Sequence, residues 1–247
     1  MKISKINTHS AIYDVLTDDS VVVDLGASQG AFSKQLKREV NCFLHQVEAN
    51  PELCKKLIKL DKTVSYNLAI SNSNSESTFY LSDNPSSSSL RHDKKTNFIN
   101  EISIKCQSLK TFVDENNIHN IDLLKMDIEG AEIDVLMSID EILIDRISQM
   151  TVEFHEKQFI TENEICRIKS VINKMRRYGM YCINFTKPRY TDVLFINLNH
   201  ISLNIVKQLI LILFFEIIVG SYRNAIIIYN RLKSRVFKKL DSILSHN

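Results

Sequence analysis

The stretch that decides the fold is Val21-Val22-Val23-Asp24-Leu25-Gly26-Ala27-Ser28-Gln29-Gly30, an apolar run that ends in a glycine turn. The run is too short for a helix and has the length of a buried strand. Gly26 lets the backbone bend and approach a ligand without a Cβ in the way, and Gly30 permits close packing where a helix begins, at about Ala31. The stretch therefore predicts a strand, a tight turn and a helix.

The glycine spacing of this turn indicates which class of ligand it binds. A dinucleotide site needs G-x-G-x-x-G so that a pyrophosphate can sit on the helix N-terminus, and the middle glycine is missing here. Asp24 also places a negative charge where a pyrophosphate would be repelled. The turn thus favours a ligand with a positively charged amino group over a dinucleotide.

Two further strand ends complete the predicted nucleoside site. The next apolar run, Phe43–Val47, delivers Glu48 at its carboxyl end, about 20 residues downstream, where a carboxylate meets ribose hydroxyls in such folds. Asp24 and Glu48 are expected to bracket a nucleoside that carries a positive charge. A third run ends at Asn67-Leu68-Ala69, where Asn67 and Ala69 are suited to flank an adenine.

Apolar runs and helical spacings alternate along the first 200 residues. The predicted strands are Val21–Leu25, Phe43–Val47, Ser65–Ile70, Ile102–Cys106, Asp122–Met126, Met150–Phe154, Met180–Phe185 and Asp192–Ile196. The predicted helical stripes are Phe32, Leu36 and Val40, then Leu53, Leu57 and Leu60, then Ile133, Leu136 and Met137. This alternation predicts an α/β domain with a mostly parallel sheet covered on both faces. The last two runs form a predicted hairpin, which puts one antiparallel strand at or near the sheet edge.

A second charged motif follows at residues 121–132. Lys125, Asp127 and Glu129 alternate onto one face if the strand stays extended, and three charges are costly to bury on a central strand. They are tolerable at the carboxyl edge of the sheet beside a ligand. The structural alternative is a Lys125–Asp127 pair, with Glu129 and Glu132 as acids at a helix N-terminus.

Taken together, these motifs resemble the FkbM-type methyltransferases. The matching segments, in the family's order, are DLGASQGAFS, VEANPE, NLAIS, the Ser-rich turn, SLKTFV, LLKMDIEGAEIDVL and VEFHE. The resemblance implies a Rossmann-like methyltransferase fold that uses S-adenosylmethionine and methylates hydroxyl oxygens of sugars, glycolipids or natural products.

Site residues follow from the resemblance position by position. It implies that the cofactor is held by Asp24, Gly26, Ala27, Gly30 and Glu48, with Asp127 at the methyl-transfer centre. Ser28 in the same turn, Asn67 and Ala69 at the third strand end, and Asp127 are also predicted to contact the cofactor. The family commonly has Asn-Ile where this chain has Ser28-Gln29, so contacts to the methionine end are expected to differ.

The predicted catalytic residues are His155, Asp127 and Glu129. His155 follows an apolar run and is the expected general base, because a near-neutral pKa suits proton removal. Asp127, Glu129 or Glu153 would orient the acceptor or the imidazole. A purely structural His155 and a divalent metal on these carboxylates stay open as alternatives. The other histidines match no motif and are interpreted as ordinary surface or packing residues: His9, His45, His92, His119, His200 and His246.

Composition excludes some partners and suggests a location. The formal net charge of +2 is too small for a nucleic-acid partner, which needs a concentrated basic face. The cysteines are scattered and odd in number, as expected in a reducing compartment. Residues 1–10 are polar and do not resemble a secretory signal. A cytoplasmic protein is expected, with a peripheral location on the inner face of a membrane as the alternative.

Residues 201–247 differ in composition and are predicted to form a helical C-terminal extension to a domain of residues 1–200. Residues 201–220 are largely apolar but interrupted by polar residues, so they are not expected to span a bilayer. Residues 221–240 carry an apolar stripe flanked by Arg and Lys, typical of a helix on an anionic membrane surface. The alternative is a helical pair that packs on the core or in a homodimer. Membrane contact would favour a lipid-linked glycan as acceptor.

The turn SDNPSSSS at residues 82–89 is expected to be a mobile surface loop, or a segment that orders over a bound acceptor.

Two rival functions are also considered. One is a nucleotide-cofactor oxidoreductase, against which the missing dinucleotide glycine argues; the other is a non-catalytic methyltransferase-fold protein that docks to a partner or membrane through its C-terminal helices.

Overall fold

A computed structural model describes residues 3–57, 59–92, 96–155, 162–187, 189–197 and 199–200. Its strands are β1 (Ser4–Ile6), β2 (His9–Ala11), β3 (Val21–Leu25), β4 (Phe43–Val47), β5 (Thr63–Tyr66), β6 (Ala69–Ser71), β7 (Ser75–Ser82), β8 (Phe98–Ser108), β9 (Leu123–Met126), β10 (Gln149–Val152), β11 (Met180–Asn184) and β12 (Val193–Asn197). Its α-helices are α1 (Ala31–Glu39), α2 (Pro51–Lys56), α3 (Leu109–Glu115), α4 (Glu132–Ser138), α5 (Glu141–Asp145) and α6 (Glu162–Arg177). Short 3-10 helices cover Tyr13–Val15 and Pro85–Ser87.

The main sheet has seven strands in the order β11-β12-β10-β9-β3-β4-β5. Strands β3, β4, β5, β9 and β10 pair in parallel, and β12 is antiparallel to both of its neighbours. The predicted α/β class and the antiparallel strand near the edge are confirmed. From β3 the chain proceeds to β4 and β5 on one side and later to β9 and β10 on the other. The carboxyl ends of β3 and β9 therefore flank the crevice where ligands bind in such sheets.

A second sheet of three strands, in the order β6-β8-β7, corrects two strand predictions. The run at residues 65–70 is not one strand, because β5 ends at Tyr66 and β6 begins at Ala69 in the second sheet. The run at residues 102–106 lies inside β8 and belongs to the second sheet as well. Apolar content marks a segment as extended, but it does not specify which sheet supplies the hydrogen-bonding partner.

The N-terminal hairpin of β1 and β2 lies against strands β10 and β12 and brings the start of the chain to the site. The Ser10 hydroxyl donates to Asp192 Oδ2 at 2.6 Å, and the Ile12 amide donates to Gln149 Oε1 at 2.9 Å. All four residues are buried. These bonds fix the hairpin, which the apolar pattern did not predict.

Buried side chains on one face of the parallel strands hold the carboxyl edge in place. Leu25, Met126, Val152 and Phe154 are each at most 1% exposed and belong to one core cluster. Strand ends supported in this way are a rigid platform for side chains that follow them.

No helix within the described ranges is both long enough and apolar enough to traverse a bilayer. The predicted extension at residues 201–247, its boundary with the first domain, and its proposed contacts with a membrane or second copy fall outside the described residues.

Candidate active site

A cavity of about 390 Å³ opens at the carboxyl ends of β3, β4 and β9. This volume falls within the range of about 300–1,000 Å³ that is common for small-molecule sites. Of the predicted site residues, the cavity wall contains Gly26, Ala27, Ser28, Glu48, Ala69, Asp127 and Glu129. The crevice predicted from the strand order is therefore the place where most of the predicted residues meet.

The glycine turn forms one wall of the cavity. Gly26 has φ +76°, and a Cβ at this position would overlap the carbonyl oxygen of Asp127. The amides of Gly26 and Ala27 both donate to the Val47 carbonyl oxygen, at 2.9 and 3.0 Å, which fastens the turn to the end of β4. Gly30 has φ +75° and stands outside the wall, facing the Leu57 side chain. It shapes the start of α1 rather than the ligand surface.

Of the two acids predicted to bracket the nucleoside, Asp24 and Glu48, it is Glu48 that lines the cavity. Its Oε2 accepts from the Ser28 amide at 2.6 Å and its Oε1 accepts from the Asn50 amide at 2.8 Å. Because a carboxylate has about four lone-pair positions, two remain for donors from a ligand. Burial raises the pKa of Glu48, and the two backbone amides oppose that shift.

Asp24 does not reach the cavity surface, so the prediction that both acids face the ligand is wrong for this residue. It has no exposed surface, and it ion-pairs with Lys125 Nζ at 3.1 Å while Oδ2 accepts from the Ser33 hydroxyl at 2.7 Å. The register of β3 and β9 places Asp24 directly beside Lys125. Asp24 therefore acts on the site through Lys125.

Lys125 fastens the strand ends from inside. Its Nζ donates to the carbonyl oxygens of Gly26 at 2.6 Å and Leu25 at 3.3 Å, and lies 3.5 Å from Asp127 Oδ2. Burial by itself lowers the pKa of Lys125, but Asp24 and Asp127 outweigh it, and the net shift is upward. The residue thus stays a cation, and it compensates the buried charge of Asp24.

The far wall of the cavity is apolar and includes only one of the two residues predicted to flank an adenine. It is formed by Ala49, Leu53, Leu68, Ala69, Ile70, Phe79 and Leu90. Asn67 does not line the cavity; its Nδ2 donates to the carbonyl oxygens of Glu48 at 2.9 Å and Ala49 at 3.0 Å. Asn67 thus holds the loop that carries Glu48, and Ala69 supplies the surface.

Of the predicted catalytic residues, Asp127 and Glu129 line the other end of the cavity, and His155 is not part of the cavity wall but contacts both of them. His155 Nε2 lies 3.3 Å from Asp127 Oδ1 and 3.4 Å from Glu129 Oε2. The assumption that β9 stays extended through Glu129 is wrong, since the strand ends at Met126 and Glu129 has φ 53°. The resulting turn nevertheless carries the Glu129 carboxylate to the same imidazole.

Glu132 holds His155 from behind. Its Oε1 is 2.8 Å from His155 Nδ1 and also accepts from the Ile128 amide at 3.0 Å. Glu132 opens α4, as the structural alternative required, but its carboxylate turns back into the site. A carboxylate on Nδ1 fixes the ring so that Nε2 points at Asp127 and Glu129.

The charges around His155 decide its protonation. Burial lowers the pKa of His155, but Glu132, Asp127 and Glu129 reverse the effect and raise it well above its ordinary value. Burial likewise raises the pKa of Asp127, but Lys125 and His155 bring it well below its usual range. At neutral pH the pair is an imidazolium beside a carboxylate, so His155 must lose its proton before it can act as a base.

Sequence reasoning missed His9, which it treated as an ordinary packing residue. The side chain is 1% exposed, and its Nε2 lies 3.5 Å from Asp127 Oδ2. The interpretation of His9 as an ordinary residue is wrong, because the N-terminal hairpin brings it next to Asp127. This contact is long-range, and residues 1–10 carry no local signal for it. Within the part of the chain that the structure describes, two groups of side chains have donor atoms close enough for a metal ion, His9–Asp127–Glu153 and Asp127–Glu129–His155.

The serine-rich turn also contributes to the cavity. Pro85, Ser86 and Ser88 line it, and the hydroxyls of Ser28 and Ser86 are 3.0 Å apart. The position of this turn at the cavity agrees both with a mobile surface loop and with a segment that orders over a bound acceptor. The ordering of the turn over an acceptor stays a prediction.

Comparison with known proteins gives a family match over much of the chain. The model of the methyltransferase FkbM domain matches residues 24–180. The 2-O-methyltransferase NoeI of Sinorhizobium fredii (strain NBRC 101917 / NGR234) is 26% identical over 160 residues, which cover 57% of this chain and 66% of NoeI. The chain thus spans slightly less than two thirds of that relative.

Solved structures with similar folds include further methyltransferases. A methyltransferase FkbM from Methylobacillus flagellatus KT matches with a TM-score of 0.49 and 12% identity, over 73% of this chain and 44% of that one. Aeropyrum pernix fibrillarin in complex with S-adenosyl-L-methionine matches with a TM-score of 0.40 and 11% identity, over 73% of this chain and 66% of that one.

Proposed function

The chain belongs to the FkbM methyltransferase family, and on this premise we propose that it transfers the methyl group of S-adenosylmethionine to a hydroxyl oxygen of a sugar or glycan. The observation that carries the proposal is one cavity with two chemically different ends. Glu48 and an apolar wall form one end, and Asp127 and Glu129 line the other, with His155 Nε2 at 3.3 and 3.4 Å from their carboxylates.

The first end fits S-adenosylmethionine, the family's cofactor. Glu48 has acceptor positions left for the two ribose hydroxyls, and the apolar wall suits an adenine ring. Gly26, Ala27 and Ser28 line this end, and Gly26 has no Cβ that would narrow it. When bound, the cofactor supplies an electrophilic methyl group on a positively charged sulfur.

The second end would orient the acceptor and remove its proton. We assign the proton to His155 Nε2, which faces Asp127 and Glu129 while Nδ1 is held by Glu132. Holding the acceptor oxygen in line with the methyl group converts an encounter into a positioned reaction, and the base removes the charge that develops on that oxygen. The carboxylates of Asp127 and Glu129 would accept hydrogen bonds from the other hydroxyl groups of the sugar that is methylated.

Methylation of oxygen, and a sugar as the acceptor, are supported by two observations. The relative NoeI is named a 2-O-methyltransferase, at 26% identity. The described reaction end is polar and carries several carboxylates, which suits a ligand rich in hydroxyl donors.

The test incubates the full chain with S-adenosylmethionine carrying a labelled methyl group and a panel of glycans, and measures product mass. A gain of one methyl group on an oxygen supports the proposal. Binding of S-adenosylmethionine is measured separately by calorimetry. Binding of NADH in its place, or no binding of either cofactor, would contradict the proposal.

A further inference from the structure

His9 is a buried imidazole whose two ring nitrogens have no hydrogen-bond partner among the residues that the structure describes. It is 1% exposed, and the Phe32 ring stands edge-on against it with the ring centres 5.8 Å apart. A buried polar group without a partner destabilises the fold, and natural proteins contain few of them. The imidazole therefore points to a ligand that would satisfy it.

The nitrogen Nε2 of His9 points at the site already described. It lies 3.5 Å from Asp127 Oδ2, which is longer than an N–H···O hydrogen bond of about 2.7–3.2 Å. Two atoms bound to one metal ion at about 2.0–2.1 Å in a tetrahedron stand about 3.3 Å apart. The separation of these two atoms is thus closer to that of two metal ligands than to that of a donor and an acceptor.

Glu153 supplies a third ligand. One donor atom each from His9, Asp127 and Glu153 lie within 4.8 Å of one another. Glu153 follows β10 and is held by its amide, which donates to the Met126 carbonyl oxygen at 3.0 Å. The three residues thus come from three separate backbone elements that are each fixed by the sheet or by the hairpin.

Negative charge exceeds positive charge around this group. The nearby acids are Asp24, Asp127, Glu129, Glu132 and Glu153, and the nearby cations are Lys125 and His155. Lys125 shares Asp127 Oδ2 with His9, at 3.5 Å, but its charge is compensated by Asp24 at 3.1 Å. A divalent cation would therefore reduce the local charge imbalance.

We propose that His9, Asp127 and Glu153 form a site for one divalent transition-metal ion, beside the cavity and next to His155. One imidazole and two carboxylates are the mixed nitrogen and oxygen set that suits Zn²⁺ or Mn²⁺, whereas Mg²⁺ and Ca²⁺ prefer oxygen ligands alone. His9 precedes the matched family domain at residues 24–180, so this ligand comes from outside that domain. The ion would fix the hairpin to the sheet and hold Asp127 against His155.

Calorimetric titration of the full, tag-free chain with ZnCl₂ tests the site without cofactor or acceptor. A Cys166→Ser background removes an exposed thiol. We expect one ion per chain, at least 100-fold weaker binding of MgCl₂, a loss of at least 100-fold in Zn²⁺ affinity for His9→Leu, and a loss of at least 10-fold for the isosteric Glu153→Gln. The matched control His119→Gln, at an exposed histidine, should stay within twofold.

Thermal unfolding distinguishes loss of ligand from loss of fold. Without metal, His9→Leu should unfold at the same temperature as the parent or higher, because it removes an unsatisfied group; Zn²⁺ should raise the midpoint of the parent only. The proposal is overturned if His9→Leu and Glu153→Gln both bind Zn²⁺ within twofold of the parent. It is overturned equally if His155→Asn abolishes binding while His9→Leu keeps it, since the ion would then occupy the other cluster. Neither result depends on methyl transfer.

Discussion

The two ends of the cavity are built in different ways. At the cofactor end, Glu48 faces the ligand from a strand end, and backbone amides of Ser28 and Asn50 hold it. At the reaction end, Asp127 lies next to side chains from distant parts of the sequence, with His155 Nε2 at 3.3 Å and His9 Nε2 at 3.5 Å from its carboxylate. A short local motif is enough to place Glu48 and the glycine turn of the first end, whereas the second end brings together residues from distant parts of the chain.

The two carboxylates show the consequence in their pKa values. Burial raises the pKa of Glu48, and the backbone amides of Asn50 and Ser28, together with the charge of Lys125, offset this only in part. Asp127 is buried too, but Lys125 and His155 lower its pKa well below the usual range. The comparison teaches that neutral backbone amides hold the carboxylate at the first end, whereas charged side chains surround the carboxylate at the second end.

The largest expected effect comes from breaking the reaction end. His155→Asn should reduce turnover about 10²–10⁴-fold, the usual contribution of a general base. Affinity for S-adenosylmethionine should stay within about threefold, since His155 does not line the cofactor end. Steady-state kinetics and calorimetry measure the two quantities, with His119→Asn as the exposed control. Undiminished turnover would remove His155 from the mechanism.

Breaking the turn that joins both ends should cost stability. Gly26→Ala places a Cβ on the Asp127 carbonyl oxygen at a positive φ. We expect the free energy of unfolding to fall by about 2–4 kcal/mol. Gly30→Ala is the matched control, because Gly30 has a similar φ but its Cβ would meet only side chains, Leu57 at 3.3 Å and Gln46 at 3.5 Å. Equal losses in urea denaturation would show that the contact with Asp127 is unimportant.

Breaking the cofactor end should affect binding alone. Glu48→Gln removes the charge and half of the acceptor positions but keeps the shape of the side chain. We expect affinity for S-adenosylmethionine to drop about 10–100-fold, or about 1.4–2.7 kcal/mol. Asn50 and Ser28 donate their amides to this carboxylate, so circular dichroism should accompany the calorimetry to confirm that the loop keeps its fold. An unchanged dissociation constant would place the ribose elsewhere.

The smallest expected effect is a change in the free energy of unfolding with pH, which tests the charge on His155 at the reaction end. The pKa of His155 is raised in the folded chain, so above about pH 6.5 the folded state keeps a proton that the unfolded state releases. The free energy of unfolding should therefore fall as pH rises from about 6.5 through the folded pKa, while turnover rises as the base becomes free. Denaturation of the parent and of His155→Asn across this range checks the sign. A stability curve of equal slope in both would contradict the assignment.

The cofactor end could be predicted from the sequence because it is local. Gly26 and Glu48 stand at the ends of consecutive strands, and the turn and strand that place them are encoded within a few residues of each. Asp24 is the exception in this region. Its partner Lys125 is 101 positions away along the chain, and only the pairing of β3 with β9 makes them neighbours.

The reaction end could be predicted only in part. The motif at residues 121–132 indicated Asp127 and Glu129, and the segment VEFHE indicated His155. The structure brings the three side chains together. His9 could not be predicted, because the hairpin that carries it has no periodic apolar pattern and is fixed by polar bonds to Asp192 and Gln149. The second sheet was missed for a similar reason, as extended segments do not encode their pairing partners.

The most direct test of the central claim is a crystal structure of the full chain with S-adenosylhomocysteine. The account predicts the ribose hydroxyls within hydrogen-bond distance of Glu48, the adenine against the wall that includes Leu68 and Phe79, and the sulfur directed toward Asp127. A nucleoside bound outside this cavity, or one that leaves Glu48 untouched, would contradict it.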